Sequence, residues 1–509
     1  MSITTIVCLP HELKDELVQI MQDEFAVSLQ IAREAYEGML EGYFCRLKAG
    51  VQFVIEYPYV DKVYRDSYYA YFSSKRRVYQ KNCIRVSVFD GIVLPDQFRN
   101  AKGIASLRER YRGFMVIRPT MPHVIGRSVL SPHALQQHGF FSLMGRFPTT
   151  VNAVRFEARG FPHASQDRET LTCSETSLWA MMEYFASRYA EYKPVVPSDI
   201  IDMLKSRSSS RQIPSEGLTI EQMSFALREF GFGTIAYDRS EYSLTSFTNL
   251  LSVYVESGIP LIVVVSNVHL GGSVRHAAVI VGRSETTNAD IDSLSSVEEG
   301  SAELAEMMKR KNISIEDNAD IKRRFVFIDD NYPAYQIAPL ESPMAYYEDD
   351  AWRKCEIMQV LVPLYPKVYL DGLEARRYIK ELLLSQLFRI PSGAKLFIRI
   401  YLTSSRSYKD YLAIEDSFSD HVRNAILSMQ MPKFIWVAEV SSKELIKQHK
   451  ANGLIVVDAT ETNTIYDNAL IVCCYENRFC YRKVEDNKLV NNSLSLNEFN
   501  IFTNNLKGF

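Results

Sequence analysis

The chain has 509 residues, enough for about three domains at roughly 150 residues each. Its 47% apolar and 23% charged residues are ordinary for a globular protein, and 22 Gly with 19 Pro are too few for a collagen-like or low-complexity chain. A net charge of −3 gives no overall basic field, so neither nucleic acid nor an anionic membrane is expected as a partner.

The opening MSITTIVCLPHELKDE lacks a basic n-region and is cut by a proline and charges, so it is not read as a secretory signal. The longest apolar runs, such as Ile259 to Val265 and Ala277 to Val281, are of strand length and far below the roughly 18 residues of a membrane span. The eight cysteines include no CxxC pair, which argues against a disulfide scaffold and a structural zinc site. A cytoplasmic protein with reduced thiols and no cofactor is expected.

The first region, residues 1–150, reads as mixed α/β. Leu13, Leu17, Ile20 and Met21 recur at helical spacing, predicting one or two helices over residues 11–47. VQFVIEYPYVDKVY, CIRVSVFDG and YRGFMVIRP then read as strands. The dense tyrosines Tyr57, Tyr59, Tyr64, Tyr68, Tyr69 and Tyr71 lie near Lys75, Arg76 and Arg77. They are expected at the edge of a sheet rather than stacked on nucleic-acid bases.

The second region, residues 151–365, carries the chemistry. In Gln166-DRETLT-Cys173-SETSLWAMMEYFASRY, Leu178, Met181, Met182 and Phe185 are spaced as on a helix. Cys173 falls at its start, where the helix dipole and unpaired N–H groups favour a thiolate. Gln166, seven positions earlier, can share an oxyanion with the Cys173 N–H. Further on, His276 opens the strand HAAVIVG after a glycine turn, with His269 a competing loop histidine. The strand RRFVFI ends in Asp329, Asp330 and Asn331, and such an acid can fix the tautomer of a histidine and stabilise its imidazolium. The same acids also suggest a calcium pair, but DxDxDG spacing is absent. Between the histidine and acid strands, residues 284–322 are polar, with a helical stretch near Ser301. They read as a solvated, lid-like surface insertion.

These pieces resemble the papain-like cysteine peptidases, in particular the bacteriocin-processing (double-glycine leader) type, over residues 166–340. EGLTIEQMSFALREFGFG resembles that family's helix before a glycine turn, and ESGIPLIVVVS and HAAVIVG its strands. The resemblance implies an α+β papain-like core with Cys173 as nucleophile and His276 as general base. It makes Gln166 the oxyanion donor and Asp329 the histidine orienter, with Asp330 the adjacent choice. The chain departs from the family in Ser174-Glu175 after the cysteine, in the run of two acids, and in the long insertion. The implied activity is a cytosolic peptidase or isopeptidase acting on a protein or peptide substrate, and the same groups would serve a deamidase or acyltransferase. The alternative is a catalytically silent papain-like scaffold used for protein binding or regulation.

The third region, residues 366–509, reads as α+β: LEARRYIKELLLSQLF as a helix, then AKLFIRIYL, KFIWVAEV, GLIVVDAT and ALIVCCYENRFCYRKV as strands. His421 and Asp458 are read as structural, and no catalytic arrangement is visible there.

Overall fold

The structure is a computed structural model. It describes residues 3–509 except 206, 208–214, 216, 295–301, 389, 463, 465–467 and 484–487. The fold is mixed α and β, with 35% helix and 30% strand. Among the described residues no helix is long and apolar enough to cross a membrane.

Three large sheets follow one another along the chain. In the first, Thr4–Cys8, Val51–Tyr59, Cys83–Asp90 and Tyr111–Ile117 form an antiparallel run. The run continues through Ser128–Leu130 into the hairpin of Gly145–Val151 and Val154–His163. Helices Leu13–Phe25 and Leu29–Ala35 bury the apolar stripe expected of them. The tyrosine-rich stretch differs from the expected strand and sheet edge. The strand ends at Tyr59, and Asp61 caps a new helix, Lys62–Ala70, by accepting the Tyr64 N–H at 2.8 Å. Capping offsets the cost of starting a helix, and Val63, Tyr64 and Ser67 then share its buried face.

The middle sheet places Leu261–Ser266 between the histidine strand Arg275–Ser284 and Glu356–Leu364. The histidine strand pairs on its other side with Arg324–Ile328 and with Phe140–Leu143. Gly282 sits where these partners meet, and a side chain there would collide with the Phe141 carbonyl. Leu506–Gly508 pairs with Phe140–Leu143, so segments from both flanking regions complete this sheet. Helix Cys173–Arg188 lies between the histidine strand and the last hairpin of the first sheet. It is buried on every side from Ser174 to Phe185, as expected for a helix whose apolar residues do not form a single stripe.

The third sheet is built on Lys395–Ser404, Phe434–Ser441, Gly453–Asp458 and Leu470–Tyr475. Its outer strand comes from the insertion: Ser314–Asp317 pairs in parallel with Lys395–Ser404. This overturns the solvated, lid-like expectation for residues 284–322. Ser301 and the six residues before it lie outside the described residues, but helix Ala302–Lys311 follows directly. Ile291, Leu304, Ile313 and Ile315 are buried. Asp317 meets Arg376 at 2.5 Å and Lys380 at 3.1 Å, all three nearly inaccessible. The insertion is a strut between sheets, and its polar composition conceals a few apolar anchors and one buried ion cluster.

Burial raises the Asp317 carboxyl, but Arg376 and Lys380 overcome that and hold it well below the usual range. Its contribution is present above the unfolded pKa of about 3.9 and is lost as pH falls through the native value. Asp317→Asn leaves the buried Lys380 without its carboxylate, while Arg376 keeps Asp320 at 2.5 Å, and is expected to cost about 3 kcal/mol, measured by urea denaturation at pH 7. A loss below about 1 kcal/mol would show that the insertion bears no such load.

Candidate active site

The loop before the cysteine is shaped by one side chain. Asp167 Oδ1 accepts the N–H groups of Glu169, Thr170 and Leu171 at 2.7–2.9 Å, and Thr170 Oγ1 donates to its other oxygen at 2.5 Å. The loop closes onto itself and delivers Cys173 as the first residue of its helix. Ser174 and Glu175 are buried. Ser174 Oγ accepts the Leu218 N–H at 2.7 Å, while Glu175 accepts from the hydroxyls of Thr172 and Ser215. These two residues therefore anchor the cysteine turn to Ser215 and Leu218.

His276 and Asp329 come from neighbouring antiparallel strands in which Val279 pairs with Ile328. Continuing that register one step sets Asp329 opposite Ala278, two residues from His276 and on the same face of the sheet. The His276 Nε2 to Asp329 Oδ1 distance is 2.9 Å, and both side chains are almost fully buried. With Nε2 engaged by Asp329, Nδ1 is the other ring nitrogen, and Cys173 is near enough to the imidazole to help raise its pKa. Cys173 is partly exposed, whereas the His276 and Asp329 side chains are buried. Burial alone would lower the imidazole pKa. Asp329 more than reverses this, with Cys173 adding to it, and the pKa is held well above its ordinary value.

Asp329 is fully engaged. Oδ1 also accepts the Asn331 N–H at 2.9 Å, and Oδ2 accepts the hydroxyls of Tyr346 and Tyr347 at 2.7 and 2.8 Å. Against burial, His276 and these donors hold its carboxyl below the usual range. Sequence reasoning missed Tyr346, Tyr347 and Trp352. The Trp352 ring meets the His276 ring edge-on at 5.2 Å and stacks on Tyr347 at 4.4 Å. The only sequence signal was an aromatic cluster, AYYEDDAW, after the acid strand.

Gln166 reaches the site through Asn331 rather than Cys173: its Nε2 donates to Asn331 Oδ1 at 2.6 Å. An amide carries two N–H groups, so one hydrogen is committed to orientation and one is left for a ligand. His269 lies elsewhere, 3.3 Å from Glu356. The first region closes the back of the site. Tyr43 donates to the Tyr332 carbonyl at 3.0 Å and bonds the His163 ring. Arg46 holds the carbonyls of Pro333, Ala334 and Tyr335 at 2.9–3.2 Å.

Asp330 differs from its neighbour. It is buried, and neither carboxylate oxygen has a hydrogen-bond partner. One oxygen lies 3.6 Å from His276 Nε2. Burial, with repulsion from Asp329, pushes its pKa up to about 7 against the pull of His276 and Arg118. His276, Asp329 and Asp330 also offer three ligand atoms within 4.8 Å of one another. A carboxylate has about four lone-pair sites, and all four on Asp329 are taken by donors. A metal ion would have to displace them.

No known family model matches this chain, and no curated protein is significantly similar to it. The functional reading therefore rests on the geometry.

Because the Asp330 carboxyl is raised on folding, its protonation favours the native state at low pH. That contribution is lost as pH climbs from about 3.9 through about 7. The Asp330→Asn variant is expected to lose less stability than wild type between pH 5 and pH 8, by roughly 1–3 kcal/mol in urea midpoints converted to free energy. Identical pH profiles would refute a buried, unpartnered carboxyl.

Proposed function

We propose that the protein is a papain-like cysteine hydrolase, a peptidase or isopeptidase acting on a protein partner, with Cys173, His276 and Asp329 as its triad. One observation carries the reading: a partly exposed cysteine at a helix start is electrostatically coupled to a histidine whose Nε2 is held at 2.9 Å by a buried, four-fold hydrogen-bonded aspartate.

In this mechanism His276 and Cys173 form an imidazolium–thiolate pair, because the raised imidazole takes the thiol proton. The sulfur attacks a substrate carbonyl carbon, and a C–S bond forms as the carbonyl oxygen becomes negative. The Cys173 N–H at the helix N-terminus and the free Gln166 amide hydrogen receive that charge. His276 passes its proton to the amine nitrogen as the C–N bond breaks. It then takes a proton from water, which attacks the thioester, releases the acid and restores the thiol. Asp329 keeps the ring in register and compensates its charge throughout. With ammonia as the leaving group the same site would be a deamidase, and with an amine or hydroxyl attacking the thioester in place of water an acyltransferase; the loops around the cleft decide which.

The rival is a silent scaffold, which requires Cys173 to behave as an ordinary thiol. Cysteine alkylation followed against pH by peptide-mapping mass spectrometry separates the two, with the exposed Cys45 as control. Cys173 is expected to label rapidly well below pH 8.5, near the free-thiol pKa, and His276→Ala is expected to abolish that advantage. Labelling at the Cys45 rate, unchanged by the substitution, would sink the hydrolase reading.

Once a substrate is in hand, Gln166→Ala is expected to lower kcat by about 10²-fold, the usual loss for one oxyanion donor, with little change in KM. An unchanged kcat would remove Gln166 from the oxyanion site.

A further inference from the structure

At the far end of the cysteine helix, away from the triad, lies a groove of about 890 Å³. It forms where helix Ala101–Arg110, the Gly145–Val151 and Val154–His163 hairpin, the helix end at Arg188 and strand Leu506–Gly508 converge. Seven cationic and two acidic side chains line it, in a chain whose net charge is −3.

Two of the cations are neutralised: Arg112 pairs with Asp90 at 2.6 Å and Arg159 with Glu157 at 2.7 Å. Arg108, Arg146, Arg155, Arg188 and Lys507 are exposed, and none is ion-paired with a carboxylate among the described residues. Their convergence follows from the strand period. Arg155 and Arg159 share one face of their strand, and Arg146 pairs across the hairpin with Arg159. Desolvation, and secondarily the nearby Arg188, hold Lys507 below its ordinary value.

We infer that this groove is a binding site for a compact polyphosphate ligand. The volume lies within the roughly 300–1,000 Å³ of small-ligand sites. Six of the seven cations are arginines, whose planar forks match phosphate oxygens two at a time. Phosphates put several charges into a small volume, whereas a peptide would need an acid at nearly every residue to balance five cations. The large rings behind the groove, Tyr111 and Phe156, are buried against each other at 5.0 Å, so they do not stand out as platforms for stacked bases. The site is separate from the triad: Arg188 ends the helix that Cys173 begins, about 22 Å away at 1.5 Å per residue. It does not depend on the hydrolase reading.

The test is isothermal titration of the full chain with inorganic tripolyphosphate at 50 mM salt, alongside a twelve-residue oligothymidylate and a hexaglutamate peptide. One tripolyphosphate is expected per chain, weakening steeply with salt. The Arg146→Glu/Arg155→Glu variant is expected to bind at least tenfold more weakly while keeping the wild-type urea midpoint. Neutralising Arg108→Gln/Lys507→Gln provides a second variant with smaller local perturbation, expected to weaken binding in the same direction. No heat with tripolyphosphate, or binding unchanged in both folded variants, would overturn the inference. Preference for the oligonucleotide or the hexaglutamate would overturn it too, replacing the compact ligand with a nucleic acid or an acidic peptide.

Discussion

Burying a charged histidine–carboxylate pair is the constraint around which the middle of this protein is arranged. Removing two ions from water costs several kcal/mol each unless hydrogen bonds replace the lost solvent. Asp329 is supplied with four donors: the His276 ring, the Asn331 N–H and the hydroxyls of Tyr346 and Tyr347. Those donors must themselves be held in place. Trp352 stacks on Tyr347 and packs edge-on against His276. Gln166 ties Asn331 to the loop before the cysteine. From the first region, Tyr43 and Arg46 grip the carbonyls of the following turn. The acid is thus a junction between segments nearly 290 residues apart in the chain.

The two adjacent aspartates show how environment assigns roles to identical side chains. Asp329 is surrounded by donors and stays ionised, whereas Asp330 is equally buried and has none. With no donors to stabilise its charge, its proton is retained up to about pH 7. A neutral Asp330 beside His276 leaves Asp329 as the counter-ion of the imidazolium. Below neutrality the pair therefore carries one positive and one negative charge, a balance that a dry site tolerates best.

The same economy operates between sheets. Glu256, from the helix Leu244–Glu256 packed on the middle sheet, meets Arg283 and Arg399 at 2.7 Å, and Arg399 reaches on to Glu439 at 2.8 Å. The insertion adds a parallel edge strand and its own buried cluster at Asp317. The middle sheet therefore receives a strand from each flank and braces the third sheet through ions and apolar contacts. This accounts for the failure of composition to reveal the insertion's role. Its few buried isoleucines are diluted by polar residues, and Asp317 looks like any surface acid until Arg376 and Lys380 are brought to it.

Much was legible in the sequence because it is local. Helical spacing after Cys173, the glycine turn before His276 and the abrupt acidic end of RRFVFI are properties of short segments, and each forms the expected element at the expected place. The tyrosine-rich stretch misled because β-branched and aromatic residues run straight on into DKVY, while a single Asp61 cap redirects the chain into a helix. Asp329 over Asp330, the tyrosine hydroxyls, the bracing from Tyr43 and Arg46, and the basic groove were decided only by the tertiary structure. Each depends on strand register and on long-range approach of segments with no shared period. Sequence order determined which chemical groups were available and in which local frames; desolvation and strand pairing decided which of them meet.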